Sequence, residues 1–159
     1  MIGIVTRLLR PRNRVQLATN LYQTGTSYFL YGGGSQGIPW LLRSLGFFRE
    51  ALGETHPYVL NVLRDLSYAE IQAKQVAAGL AHARQATALA DVRIGAISKP
   101  DEALREQALQ RAVYLNHLEL LFETSGGADT AESFAVGQRA RASSTALTLQ
   151  ASAACAVAG

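Results

Sequence analysis

Gly32, Gly34 and Gly37, in the stretch YGGGSQGIPW at residues 31–40, satisfy the pattern GxGxxG. In dinucleotide-binding proteins such glycines let backbone amides at a strand-to-helix turn meet a pyrophosphate at a helix N-terminus. Tyr28, Phe29, Leu30 and Tyr31 have strand-like propensity, and the chain from Trp40 onward looks helical. Glu50 or Glu54 stands near the place of the ribose-binding acid. The stretch lacks the GK[ST] ending of a P-loop, and GxGxxG has this meaning only inside a βαβ unit. The rest of the chain therefore decides what the glycines do.

Other reactive side chains are few. His56, His82 and His117 show no HxxxH spacing, and with Cys155 as the single cysteine there is no CxxC, so no zinc motif is present. One cysteine excludes an intramolecular disulfide framework, and the Ala-rich surroundings of Cys155 read as packing. No motif links Cys155 to His117 as a dyad, no serine lies in a GxSxG elbow, and no carboxylate pair forms a recognisable acid/base motif. The expectation is a chain with no catalytic residues, no cofactor and no metal.

The elements that must position any site are helical. The 159 residues suffice for one domain, and 48% apolar with 17% charged residues is ordinary globular composition. Much of the net charge of +3 sits in a basic N-terminal segment, residues 1–14, with Arg7, Arg10, Arg12 and Arg14. It reads as a solvated helix end, with no nucleic acid partner. At the start, MIGIVTRLL puts apolar residues before arginines, the reverse of a secretory signal, and no apolar run is long enough to cross a bilayer. The expectation is a cytoplasmic chain with no membrane partner.

From Tyr58 the periodicity predicts a helix, with Val59, Val62, Leu63, Leu66 and Ala69 at three- and four-residue steps. A second helix covers Val76 to Ile97, joined to the first near Lys74. Ser98 to Glu102 is a stop-and-start signal around Pro100. One helix is then predicted from Ala103 to Glu123, with Leu104, Ala108, Ala112, Leu115, Leu118 and Phe122 on one stripe, closed by Ser125, Gly126 and Gly127. A last helix starts near Asp129 or Thr130 and runs through Phe134 towards Leu149. No segment after Tyr58 alternates with period two, so a parallel sheet lacks strands and the glycine motif loses its context.

Regularly spaced helices call for a search for repeats. A shift of 42 places pairs Leu17 with Val59, Leu21 with Leu63, Gly37 with Gly79, Phe47 with Leu89, Leu52 with Ile94 and Gly53 with Gly95, although it also gives Leu45 the polar partner Thr87. Leu21, Gly25, Tyr28, Gly32, Gly37 and Ser44, and in the next unit Leu63, Leu66, Ser67, Gly79, Ala83 and Ala86, resemble the large, small and aromatic series of a tetratricopeptide repeat. The linker ALGETHPYV, residues 51–59, is similar to the LGxxHP linker of the kinesin-light-chain type. A third unit with Leu115, Leu118, Phe122 and Gly126 in first-helix places lies 52 residues beyond the second, the excess of ten being taken up by a lengthened helix around Pro100 to Gln110. Residues 131–159 resemble the helix preceding the peptidase domain in bacterial proteins that combine such repeats with a CHAT domain, a caspase-like cysteine peptidase.

The resemblance implies an all-α, short α-solenoid of about three antiparallel helix pairs over residues 15–159. Its first helices would form a concave face that binds a protein or peptide partner without catalysis. The face would present Thr19, Tyr22, Gln23, Thr26 and Phe29 from the first unit and Asn61, Arg64, Asp65, Tyr68 and Gln72 from the second. Where related repeats often carry a peptide-binding asparagine, this chain has Gln23 and Asp65, with Asn116 and His117 in the third unit. The alternative implied by the second resemblance is a regulatory or sensor segment of a CHAT-type peptidase whose catalytic domain is absent from this chain. Gly32 would end the first helix, Gly37 would let two helices approach closely, and Pro39 would fit the first turn of a helix starting near Ile38. Gly34 replaces a large apolar or aromatic residue usual in this repeat type, which implies a looser turn. With so few repeats, self-association is expected through the exposed C-terminal helix; a monodisperse monomer at high concentration in sedimentation would contradict it.

Overall fold

A computed structural model of the protein describes residues 11–31, 34–125 and 130–141. The regular elements among them are all helices: α1 (Pro11–Leu30), α2 (Gly34–Leu52), α3 (Pro57–Gln72), α4 (Val76–Gly95), α5 (Pro100–Leu109), α6 (Arg111–Ser125) and α7 (residues 130–141). They fall into two compact units, Met1–Gln85 and Ala86–Gly159, with α4 contributing to both. Gly32, the sequence candidate for closing α1, lies outside the described residues, as do Gly126, Gly127, Cys155 and the last helix beyond Arg141. Arg7 and Arg10 lie outside them too, whereas α1 already begins at Pro11.

In the first unit α1 and α2 run antiparallel, because Gly25 faces Gly37 and Ala18 faces Ser44. A Cβ on Gly37 would stand 2.5 Å from the Gly25 carbonyl oxygen, and one on Gly25 would stand 2.8 Å from Leu41. Further along, the buried Ser44 hydroxyl donates to the Ala18 carbonyl at 2.8 Å. The α3–α4 pair repeats this crossing: a Cβ on Gly79 would meet the Ser67 carbonyl oxygen and Ile71 Cγ1, both at 2.7 Å. Gly25 and Ser67, like Gly37 and Gly79, are 42 residues apart, so the period found in the sequence is the period of the helix crossing. Burial follows it: Leu41, Ser44, Leu45 and Phe48 are buried, and so are Ala83, Ala86, Thr87 and Ala90. The polar mismatch at Leu45 and Thr87 is a buried position in both cases.

The linker between α2 and α3 is built from local backbone chemistry. Gly53 has φ of +89° and its N–H bonds the Arg49 carbonyl at 3.0 Å, ending α2. His56 caps α3, its Nδ1 accepting from the Tyr58 N–H at 3.2 Å, and Pro57 follows at the first helical position, where its missing N–H costs nothing. The α3–α4 turn closes with paired bonds, Gln75 N–H to the Glu70 carbonyl at 2.8 Å and Lys74 N–H to the Ile71 carbonyl at 2.9 Å, a Schellman arrangement. Its left-handed residue is Lys74, with φ of +65°, in the place glycine usually takes.

Three sequence expectations are corrected. The second helix starts at Gly34 and not near Ile38, so Pro39 lies inside α2. There it forgoes the bond to the Ser35 carbonyl, which solvent can reach because both residues are exposed. The single helix from Ala103 to Glu123 is two, broken at Gln110. Glu106, bonded to Arg93, and Gln110, which donates to Glu106, are buried, and Leu109 turns outward at 73% exposure, so the apolar stripe drawn through this segment does not face the core. The extra residues form a separate ten-residue helix, α5. Finally, α6 buries Val113, Tyr114, His117, Leu120 and Leu121 and leaves Leu115 and Phe122 exposed. That pattern matches Val59, Leu60, Leu63, Leu66 and Ser67 of α3 at a shift of 54, which also aligns the helix starts at Pro57 and Arg111.

Substituting the crossing glycines tests this packing. Gly37→Ala and Gly79→Ala force a Cβ onto a backbone carbonyl and should each cost about 1–3 kcal/mol. Gly46→Ala, with nothing within 4 Å of its Cβ, should instead stabilise α2 by up to about 1 kcal/mol. Urea unfolding of the three variants reads the difference in sign.

Candidate functional site

Helices α1 and α3 are neighbours in the first unit, and their shared face holds most of the predicted interaction residues. Phe29 and Tyr68 meet edge to face with centroids 5.2 Å apart. Together with Gly34, Ser35, Gln72 and Ala73 they line a cleft of about 410 Å³. Gly34 makes the opening, since the nearest atom to a Cβ built there is Phe29 Cδ2 at 4.0 Å. The residue 42 places later is Val76, so the first pair lacks a side chain that the second has. The cleft offers two aromatic rings, the Gln72 amide and the Ser35 hydroxyl. These suit an apolar side chain flanked by peptide amides.

One turn away, Tyr22, Asp65 and Arg64 form a closed cluster. The Tyr22 hydroxyl donates to Asp65 Oδ2 at 2.5 Å, and Arg64 Nε and Nη2 reach Asp65 Oδ1 at 2.9 and 2.8 Å. Burial, then the bond to Asp65 and its charge, push the Tyr22 hydroxyl well above the ordinary phenol range, with Arg64 opposing. Asp65 therefore ties α1 to α3, and both of its oxygens are engaged. Thr19 donates to the Val15 carbonyl at 2.9 Å and Thr26 to the Tyr22 carbonyl at 3.0 Å, so both hydroxyls return to their own helix. Gln23 is exposed on α1 and Asn61 is half-buried on α3. Of the ten predicted residues, the cleft brings together Phe29, Tyr68 and Gln72, and the cluster joins Tyr22, Arg64 and Asp65.

The glycine motif has a different environment from a phosphate cradle. Gly34 and Gly37 both lie in α2, α1 is helical up to Leu30, and Gly37 is spent on the crossing with Gly25.

In the second unit a polar chain that no sequence motif signals runs through the buried His117. Its Nδ1 lies 2.9 Å from Thr87 Oγ1, and its Nε2 lies 3.3 Å from Glu132 Oε1. A hydroxyl, an imidazole and a carboxylate in series is the arrangement of a nucleophilic triad. Thr87 and His117 are only 4% and 2% exposed, however, so the hydroxyl faces packed side chains and not solvent. The chain links α4, α6 and α7. Two further ties flank it. Tyr114 donates to Asp91 Oδ1 at 2.8 Å, with Arg139 Nε 3.1 Å from Oδ2. Arg93 Nε meets Glu106 Oε1 at 2.6 Å, and Gln110 donates to the same oxygen at 2.7 Å. Burial and Asp91 raise Tyr114 as Asp65 raises Tyr22, while the Arg93 hydrogen bond holds Glu106 below the ordinary carboxylate range against its burial.

No protein-family model, curated protein or solved structure matches the chain. Among the described residues no helix is long and apolar enough to cross a membrane, and no group of three or more His, Cys, Asp or Glu is placed to hold a metal ion. Cys155, which a dyad with His117 would need, lies outside the described residues; the groups at His117 are Thr87 and Glu132.

These ties predict both limbs of the pH–stability curve. Tyr22 and Tyr114 titrate higher folded than unfolded, so their contribution is complete below about pH 10 and is lost as pH rises beyond it. Glu106 titrates lower folded than unfolded, so its contribution is complete above about pH 4.3 and is lost on further acidification. In urea unfolding across pH, Tyr22→Phe with Tyr114→Phe should flatten the alkaline limb and Glu106→Gln the acid limb. Unchanged limbs would show that these bonds do not hold the fold.

Proposed function

We propose that this chain is a non-catalytic protein–protein interaction scaffold, a short solenoid of tetratricopeptide-like helix pairs that binds an extended peptide on the face of α1 and α3. One observation carries the assignment: the cleft left open by Gly34 between Phe29 and Tyr68, on the face where the first helices of successive pairs lie side by side. The 42-residue recurrence of the glycine crossing and the packing of α6 on α4 support successive helix pairs. The Gln72 amide would pair with the peptide backbone, and the rings would take an apolar side chain. The Tyr22–Asp65–Arg64 cluster would hold α1 and α3 at the spacing the cleft needs. Residues 131–159, by their resemblance to the helix before a CHAT peptidase domain, support a second role as a regulatory segment of such a peptidase. An in-frame continuation of the gene with a His and Cys peptidase signature would favour that role, and a stop codon would count against it.

A Gly34→Leu variant separates binding from folding, because a Cβ there meets only Phe29 Cδ2, at an ordinary contact distance of 4.0 Å, and the cleft can take the rest of the side chain. Peptides enriched from a random display library on the wild-type chain should carry an apolar or aromatic anchor. In calorimetry they should bind Gly34→Leu at least about tenfold more weakly, a loss of about 1.4 kcal/mol, with the thermal midpoint not lowered. Failure to enrich any peptide, or undiminished binding by the variant, would refute the scaffold role for this cleft.

A further inference from the structure

Helix α6 is apolar on two sides. One side packs Val113, Tyr114, His117, Leu120 and Leu121 into the second unit. The other carries Leu115, Leu118 and Phe122, at steps of three and four residues, into a groove of about 820 Å³ whose far wall is α7 at Thr130 and Ser133. Phe122 is 70% exposed. The charged groups lining this groove are Glu119 and Glu123, both exposed, and neither carboxylate forms an ion pair with a described residue. Among the described residues no lysine or arginine lines it. An apolar floor about 10 Å long, the rise of seven helical residues, matches two turns of an incoming helix.

We infer that this groove is a docking site for an amphipathic helix of a partner protein, one with an apolar stripe flanked by lysine or arginine. The charge pattern selects this occupant. The stripe would cover Leu115, Leu118 and Phe122, and the basic flank would neutralise Glu119 and Glu123, which would repel an acidic helix or an anionic lipid surface. Aromatic anchors such as Phe122 carry a large share of the energy of such contacts. The site lies wholly in the second unit and does not depend on the Phe29–Tyr68 cleft.

The test uses the full chain and two synthetic helical peptides of one pattern, fluorescently labelled, one built of leucine and lysine and the other of leucine and glutamate. In fluorescence anisotropy the leucine–lysine peptide should saturate and bind at least about tenfold more tightly than the leucine–glutamate one, with affinity falling as salt is raised. Phe122→Gln, at an exposed position, should keep the unfolding midpoint and lose at least about tenfold in affinity. The double variant Glu119→Lys with Glu123→Lys should reverse the preference between the peptides. Any of three results would overturn the inference: absence of saturable binding, equal binding of the two peptides, or binding indifferent to these substitutions. A concentration-dependent dimer that Phe122→Gln dissolves in sedimentation would also overturn it, by making a second copy the occupant.

Discussion

Helices α1 and α2 meet backbone to backbone at Gly37, whose Cα stands where any side chain would strike the Gly25 carbonyl. So close an approach constrains the register of the pair, since sliding by one turn towards the C-terminal end of α2 would bring Leu41 onto that carbonyl. In this register, Ser44 finds the Ala18 carbonyl, and Leu41, Leu45 and Phe48 face the core. It also sets where α2 begins relative to the end of α1, and this puts Gly34 beside Phe29. The candidate site is thus a consequence of how tightly the two helices cross.

Beside the aromatic contacts, polar ties fasten helices of different pairs. Asp65 holds Tyr22 across α1 and α3, Asp91 holds Tyr114 across α4 and α6, and Glu106 accepts from Arg93 and Gln110. Each is a carboxylate that accepts from two or more donors. An acceptor of this kind, half-buried at Asp65 and Asp91 and buried at Glu106, favours one arrangement of the helices even where its net contribution to stability is small.

Features that act through nearby backbone were legible in the sequence. Gly53, His56 and Pro57 end one helix and start the next by local effects, and the linker was readable from those residues alone. The steps through Val59, Val62, Leu63 and Leu66 gave α3 because all four are buried against neighbours. The resemblance to a tetratricopeptide repeat nominated Phe29, Tyr68 and Gln72. By contrast, the break at Gln110 accompanies a tertiary ion pair between Arg93 and Glu106, and nothing near Gln110 announces it. Leu115 and Phe122 misled for the same reason: helical spacing shows that a stripe exists and not which of two stripes is buried. Thr87, His117 and Glu132 meet only through tertiary packing. Gly34 was noticed as a missing large residue, but that the gap opens a cleft beside an aromatic pair could be seen only with α3 in place.

The left-handed Lys74 bears on how the chain folds. An L-residue in that conformation is disfavoured by roughly 1–2 kcal/mol, so the α3–α4 turn gains nothing from local preference in the unfolded chain. It closes when Gly79 docks against Ser67 and the paired bonds to Glu70 and Ile71 form together. The second helical hairpin therefore relies on the packing across it and on these paired bonds to offset the disfavoured dihedral at Lys74. The α2–α3 linker, by contrast, has glycine, cap and proline already suited to their dihedrals, so its local preferences agree with the fold.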